Sequence, residues 1–218
     1  MNPLYFESST KVGLVNFPIR STLLPHKGGA VLISPIDFNE IQIQLLKQFT
    51  VTDIVAPSDI HHLFILDAQK IFPNARLWRV PGLEKKRPDV PWTHVFGESQ
   101  WPIDEIKVLP IDGAPKLNEH LFFHSPSQTL VITDLLFNLV RPPGLAAKII
   151  FTVMGTYNGL AMSRLWSVAI KDKTKFRASI EKILKLNFEN LALAHGGNVQ
   201  GEGKRLLMGA LAERGFTF

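Results

Sequence analysis

The stretch Thr129-Leu130-Val131-Ile132-Thr133-Asp134-Leu135-Leu136-Phe137 carries most of the information about how this chain folds. Thr129 to Ile132 is a short aliphatic and β-branched run of the kind that forms a buried strand, and Asp134 follows it almost at once. Loops leaving the C-terminal ends of strands are where α/β folds gather binding groups. An acid at such a place either caps a turn or belongs to a site.

Working outward, two more strands end in the same manner. Thr52 to Ala56 is closed by Pro57 and followed by Ser58-Asp59-Ile60-His61-His62, and Leu191 to Ala194 is followed by His195-Gly196-Gly197. Imidazoles and carboxylates are ligands that suit Zn, Fe or Mn, and with no cysteine in the chain a metal would have to be held by His, Asp or Glu. A lone loop histidine is ordinarily a hydrogen-bonded structural residue. The case rests on the three places together.

The rest of the chain alternates in the same α/β fashion. Val12 to Ile33 reads as a β-meander with turns at Pro18, Pro25 and Gly28-Gly29, and Asp37 is placed to cap a helix over Phe38 to Gln48. A loop and helix over Ile60 to Ile71 precede a strand at Ala75 to Val80 and a loop from Pro81 to Pro91. A second meander spans Ile106 to Phe137, with apolar runs at Ile106 to Ile111, His120 to His124 and Thr129 to Ile132. Beyond Pro142-Pro143 the pattern predicts a helix from Leu145 to about Trp166, another over Lys173 to Leu186, and a last one over Gly201 to Arg214. Two sheets packed face to face with helices outside satisfy this order, in one domain spanning residues 1–218.

Composition narrows the function classes. Hydrophobic residues make up 45% and charged residues 20%, which argues against large-scale disorder. No run approaches the roughly 20 apolar residues of a spanning helix, and no secretory pattern opens the chain, so a cytoplasmic address and no membrane partner are expected. The net charge of +5 comes from scattered lysines and arginines, which disfavours nucleic acid as the partner. The tight cluster Lys85, Lys86 and Arg87 reads as a solvated loop. Gly196 to Gly203 lacks the Gly-Lys-Ser/Thr ending of a phosphate loop, and no Gly-x-Ser-x-Gly elbow is present.

Strand-loop-His, then strand-Asp-Leu-Leu-Phe, then strand-His-Gly, in this order, resembles the metallo-β-lactamase-like hydrolase superfamily, and within it a branch of DUF4336 type. Phe17 to Thr22, Asp172 and Leu193-Ala194-His195-Gly196 carry the resemblance further, from Gly13 to about Arg214. It implies an α/β fold of αββα sandwich type, two mixed β-sheets face to face with helices outside.

The resemblance also implies a ligand set with gaps. The family motif His-x-His-x-Asp-His falls on Pro57 to His62, so that Pro57 and Asp59 replace the first two imidazoles, His61 stands where the family has Asp, and only His62 is retained. A further family histidine falls near Gly113-Ala114-Pro115, where Ala114 offers no donor. The bridging Asp matches Asp134 and the terminal His matches His195. On this reading a first metal position is lost, and a second retains His62, Asp134 and His195, with His61 or Asp59 as replacements.

Three protein ligands leave an open coordination position, where one Zn, Fe or Mn ion could lower the pKa of a water to about 7 for hydrolysis, with Asp134 and His62 as the catalytic pair. In the other reading no ion is bound. His62, Asp134 and His195 then form an inert hydrogen-bonded network, and the protein is a non-catalytic module binding a small molecule or protein. His120 and His124 are expected at the surface or a sheet edge. Leu145 to Trp166 reads as helical core, an apolar lid or a homodimer contact.

Overall fold

The computed structural model describes residues 1–13, 15–140 and 144–218. The chain runs through β1 (Leu4–Val12), β2 (Val15–His26), β3 (Gly29–Ile33), α1 (Glu40–Leu46), β4 (Val51–Ala56), α2 (Ile65–Ile71), β5 (Arg76–Arg79), α3 (Leu83–Lys86) and β6 (His94–Val95). It continues with β7 (Ile106–Pro110), β8 (His120–His124), β9 (Thr129–Ile132), β10 (Leu136–Leu139), α4 (Leu145–Met154), β11 (Gly159–Met162), α5 (Arg164–Ala169), α6 (Lys173–Leu184), β12 (Asn190–Leu193) and α7 (Gly203–Ala212).

The first six strands make one mixed sheet in sequence order. β1, β2 and β3 are antiparallel neighbours, while β3 to β6 run parallel. A second mixed sheet has the order β12-β9-β8-β7, with β12 and β9 parallel. Phe122, Val131 and Ala192 from the second sheet pack with Leu32, Ile54 and Leu77 of the first, so the two sheets share one apolar layer. Behind the second sheet Leu121, Leu130 and Leu191 meet Phe176 and Ile180 of α6 and Leu207 of α7. The expected αββα sandwich is therefore present. Among the described residues no helix is long and apolar enough to cross a membrane.

Several local expectations change. The capping residue of α1 is Asn39, in a capping box with Gln42, whereas Asp37 lies two residues upstream. The opening meander reaches back to Leu4, because the β1–β2 hairpin pairs every residue from Leu4↔Leu23 to Val12↔Val15.

The helix expected over Leu145 to Trp166 is three elements. Gly155 ends α4 in the left-handed region at φ 71, Gly159–Met162 pairs antiparallel with Leu136–Leu139, and the Ser163 hydroxyl caps α5 by accepting from Trp166 N. Amphipathic periodicity could not reveal this break, since β11 takes its partner from a strand remote in sequence. The Pro142-Pro143 boundary lies outside the described residues.

His120 and His124 are buried, not at the surface, and β8 is an interior strand of its sheet. His124 is anchored between Ser127 and the Pro25 carbonyl. His120 stacks on Phe96, and burial pushes its pKa down to about 4. A histidine that is neutral when folded and titrates near 6.5 when unfolded stabilises fully above about pH 6.5, and that stability is lost as pH falls toward 4. His120→Phe should therefore flatten the fall in urea stability between pH 7 and pH 4, by up to about 3 kcal/mol. An unchanged slope would assign the acid sensitivity elsewhere.

Candidate metal centre

β4, β9 and β12 deliver their following loops to one edge of the sandwich, and there His61, Asp134 and His195 converge. His61 Nε2 lies 3.1 Å from His195 Nε2 and 3.3 Å from Asp134 Oδ2, and His195 Nε2 lies 3.4 Å from Asp134 Oδ1. All three side chains are nearly shielded from solvent.

The outer nitrogen of each imidazole is taken up elsewhere. His195 Nδ1 lies 2.8 Å from the Pro18 carbonyl, which can only accept, so the proton of a neutral ring sits on Nδ1 and the Nε2 lone pair faces inward. His61 Nδ1 lies 2.6 Å from the Ser34 hydroxyl, which can accept from it in the same way. Fixing the tautomer through the outer nitrogen is how metal-binding histidines are oriented. Ser34 itself is held at φ 52, an uncommon conformation for a residue with a side chain.

Asp134 is set by a buried carboxylate behind it. Glu119 Oε1 accepts from Thr133 N at 2.8 Å, Thr133 Oγ1 at 2.8 Å and Asp134 N at 3.0 Å, and Glu119 Oε2 accepts from Trp166 Nε1 at 3.1 Å. Glu119 is fully buried, and burial together with the Asp134 charge raises its pKa to about 7. Burial would raise the pKa of Asp134 as well, but the charges and hydrogen bonds of His61 and His195 hold it well below the usual carboxylate range. At His61 burial acts against the charged form, yet the Asp134 charge and hydrogen bond prevail and raise its pKa.

With both rings protonated on Nδ1, two lone pairs and a carboxylate point into one space and need a cation between them, either a proton or a metal ion; if Ser34 donates to His61 Nδ1 instead, the proton on His61 Nε2 fills that place. The edges of 3.1, 3.3 and 3.4 Å suit a metal ion. Ligands at the 2.0 to 2.1 Å bond lengths of tetrahedral zinc lie about 3.3 Å from one another. The donor set of two imidazoles and a carboxylate therefore fits a divalent ion.

The residues expected at the site are only partly those that converge. His62 does not join the cluster. Ser58 Oγ accepts from Ile60 N and His61 N, a tight turn that aims His61 inward and leaves His62 against Arg87, whose Nη1 is 3.3 Å from His62 Nδ1 and 2.8 Å from the His62 carbonyl. A guanidinium only donates, so His62 Nδ1 is an acceptor. Burial, with the charges of Lys86 and Arg87, pushes the His62 pKa down to about 4.

Arg87 is thus an anchor and not part of a freely solvated loop. Asp59 also stays outside the cluster. Its carbonyl accepts from Lys86 Nζ at 2.6 Å, and burial raises the pKa of its carboxyl. Pro57 and Ala114 are buried, and Ala114 packs in the apolar layer beneath α6.

Ser34, Glu119 and the Pro18 carbonyl were not legible as site residues, because each reaches the cluster from a strand or loop other than those that carry His61, Asp134 and His195. The Ala194-His195-Gly196 run did carry one further signal. Gly196 adopts φ +93, and a Cβ there would run into the Asn138 carbonyl, which accepts from Gly197 N at 3.0 Å. Arg20, from β2, steadies the same loop by donating to the Leu193 carbonyl and to Asn198 Oδ1, each at 2.7 Å. Gly196→Ala should lower stability by about 3 kcal/mol in urea unfolding and weaken divalent-ion uptake together. Loss of stability with uptake intact would show that this turn does not position His195.

A cavity of about 460 Å³ opens over the cluster, lined by Phe17, Phe137, Ile150, Met154, Leu165 and Trp166 among others. The His195 ring is clamped between two of these. It stacks on Phe137 at 4.8 Å and meets Phe17 edge-on at 4.9 Å.

No family model matches the sequence, and no curated protein matches it. Solved structures do. The metallo-β-lactamase from Pontibacter korlensis has a TM-score of 0.64 at 14% identity, over 98% of this chain and 94% of that one. A diflavin flavoprotein fragment from Nostoc sp. PCC 7120 has a TM-score of 0.63 at 16% identity, over 98% and 91%. The flavodiiron core from Synechocystis sp. PCC6803 has a TM-score of 0.67 at 12% identity, over 98% of this chain and 59% of that one. The chain has the metallo-β-lactamase fold, with a His-Asp-His cluster at one edge of its sandwich that can hold a divalent metal.

Proposed function

We propose that this protein is a metal-dependent hydrolase that works with one divalent ion held by His61, Asp134 and His195, the first metal position that the family resemblance implies being lost at Pro57 and Ala114. The observation that carries the reading is the convergence of three acceptor groups, each fixed from behind, with no hydrogen-bond donor supplied by the protein between them if both rings carry their protons on Nδ1. A divalent ion held there supplies Lewis acidity and a water acidic enough to react near neutral pH.

The chain's own groups do the positioning. Pro18 and Ser34 orient the imidazoles, Glu119 fixes the backbone at Asp134, and His62 lines the cavity beside the cluster as a neutral ring that can face the substrate.

Protein stripped of metal should take up close to one equivalent of zinc or manganese, measured by calorimetry and elemental analysis. His61→Ala and His195→Ala should each lose most of that uptake, and His62→Ala should keep it. Less than about a tenth of an equivalent, before or after titration, overturns the reading.

A second reading has its own observation. The 3.3 Å contact between His61 and Asp134 and the raised His61 pKa allow a proton to serve as the cation, which would make the cluster an inert ion-paired network. Absence of metal uptake favours that reading.

A further inference from the structure

We propose that the cavity over the cluster receives the hydrocarbon chain of a neutral carboxylic ester, with its carbonyl at the metal centre; this deepens the hydrolase reading and rests on it. At about 460 Å³ the cavity falls within the size range of small-molecule sites. The chemistry of its lining is one-sided. Away from the cluster the walls are Phe17, Phe137, Ile150, Met154, Leu165 and Trp166, contributed by β2, β10, α4 and α5.

Outside the histidines and Asp134, the few polar groups of the described lining other than Thr10 and Lys11, near the end of β1, are already committed. The Ser34 hydroxyl faces His61, the Ser163 hydroxyl accepts from Trp166 N, and the Trp166 indole donates to Glu119. A polar ligand entering here would leave its own hydrogen bonds to water unreplaced, whereas a hydrocarbon loses none. Apart from the histidines and Asp134, Lys11 is the sole charged side chain among the described lining residues. Among the described residues no pair of cations is built into the walls to receive a phosphate or a free carboxylate. The recognised part of the ligand is therefore neutral and apolar.

The surface around the cavity points the same way. On α4, Ile150 and Met154 line the cavity while Leu145, Ile149 and Val153 face outward, exposed by 72%, 55% and 66%. On α5, Leu165 lines the cavity and is itself 61% exposed, and Val168 is 71% exposed. An apolar rim continuous with an apolar cavity suits a chain that has to leave water, or a lipid aggregate, on its way in. The reaction balances with water as its only co-reactant. Water adds to the carbonyl carbon, the acyl C–O bond breaks, and the departing alkoxide takes up a proton, giving an acid and an alcohol.

Binding of 1-hexanol, 1-octanol and 1-decanol to the metal-free full chain tests the hydrocarbon site independently of catalysis, with tryptophan fluorescence and calorimetry as readouts. Kd should fall about fourfold per added methylene. Ile150→Glu, inside the cavity, should raise the 1-decanol Kd at least about tenfold, and Val153→Glu, on the outer face of the same helix, should leave it within about twofold. With zinc restored, kcat/KM for 4-nitrophenyl decanoate should exceed that for the acetate by at least about 100-fold.

A Kd independent of chain length, or equal effects of the two glutamate variants, overturns the hydrocarbon site while metal uptake still stands. Chain-length-dependent binding without any metal uptake overturns the ester assignment together with the hydrolase reading.

Discussion

Asp134→Ala should lower the affinity for a divalent ion by about 100-fold or more, because it removes the one anionic ligand and leaves two imidazoles with no charge to balance the ion. Both His61 Nε2 and His195 Nε2 lie within 3.4 Å of the Asp134 carboxylate, so the loss also unties the two loops from one another. Ser58 Oγ, 3.5 Å from Asp134 Oδ2, loses its contact as well. Isothermal calorimetry with zinc or manganese measures the affinity, and urea unfolding of the metal-free variant measures the fold.

Asp134→Asn separates the two effects. It preserves volume and hydrogen bonding while removing the charge, so it should retain most of the metal-free stability and still lose metal. Full affinity in Asp134→Asn would show that the carboxylate is not a ligand.

Asp53→Ala should have the larger effect on stability, about 3 to 5 kcal/mol. Asp53 is fully buried near the start of β4, and its carboxylate accepts from Arg76 Nε at 2.7 Å, Arg76 Nη2 at 2.8 Å, Trp78 Nε1 at 2.7 Å and the Thr52 hydroxyl at 2.7 Å. Removing it leaves a guanidinium and an indole N–H partly buried without this acceptor and the Thr52 hydroxyl with only the longer 3.4 Å contact to the Ala30 carbonyl, and the lost acceptor has a desolvation cost at each donor. The parallel β4–β5 pair is also held by this residue, since Asp53 stands opposite Arg76 in the register.

At a typical urea m-value the midpoint should fall by about 2 M. Metal affinity of the fraction that stays folded should be preserved, because Asp53 lies toward the opposite end of β4 from the loop that carries His61. A change below about 1 kcal/mol would mean that the ion pair contributes little beyond what its burial costs.

The two substitutions probe parts of the chain with different legibility. Apolar runs and their punctuation are local, so the strands at Thr129–Ile132 and Asn190–Leu193 and their polar followers could be located by reading along the chain. So could the layered α/β architecture. Asp53 could not be recognised as an anchor, because its partners come from β5, and a charge inside a strand pattern carries no sign of who will neutralise it. The same holds for Glu119, which reads as one acid at the start of a strand until Thr133, Asp134 and Trp166 are brought around it.

The helix expected across Leu145 to Trp166 failed for a related reason. Its apolar residues satisfy a helical period, but β10 offers hydrogen bonds to Gly159–Met162, and a positive-φ glycine at 155 ends the turn before it.

Read along the chain, three strands of an α/β sandwich end in residue types able to hold a metal, at Ser58 to His62, at Asp134 and at His195; these are properties of short runs, set by side-chain hydrophobicity and backbone preference. That the inward imidazole is His61 and not His62 follows from packing in the folded chain alone. Adjacent residues in a loop point in different directions, and the choice between them is made by the Ser58 turn on one side and the Arg87 guanidinium on the other, neither of which leaves a period or a spacing in the chain.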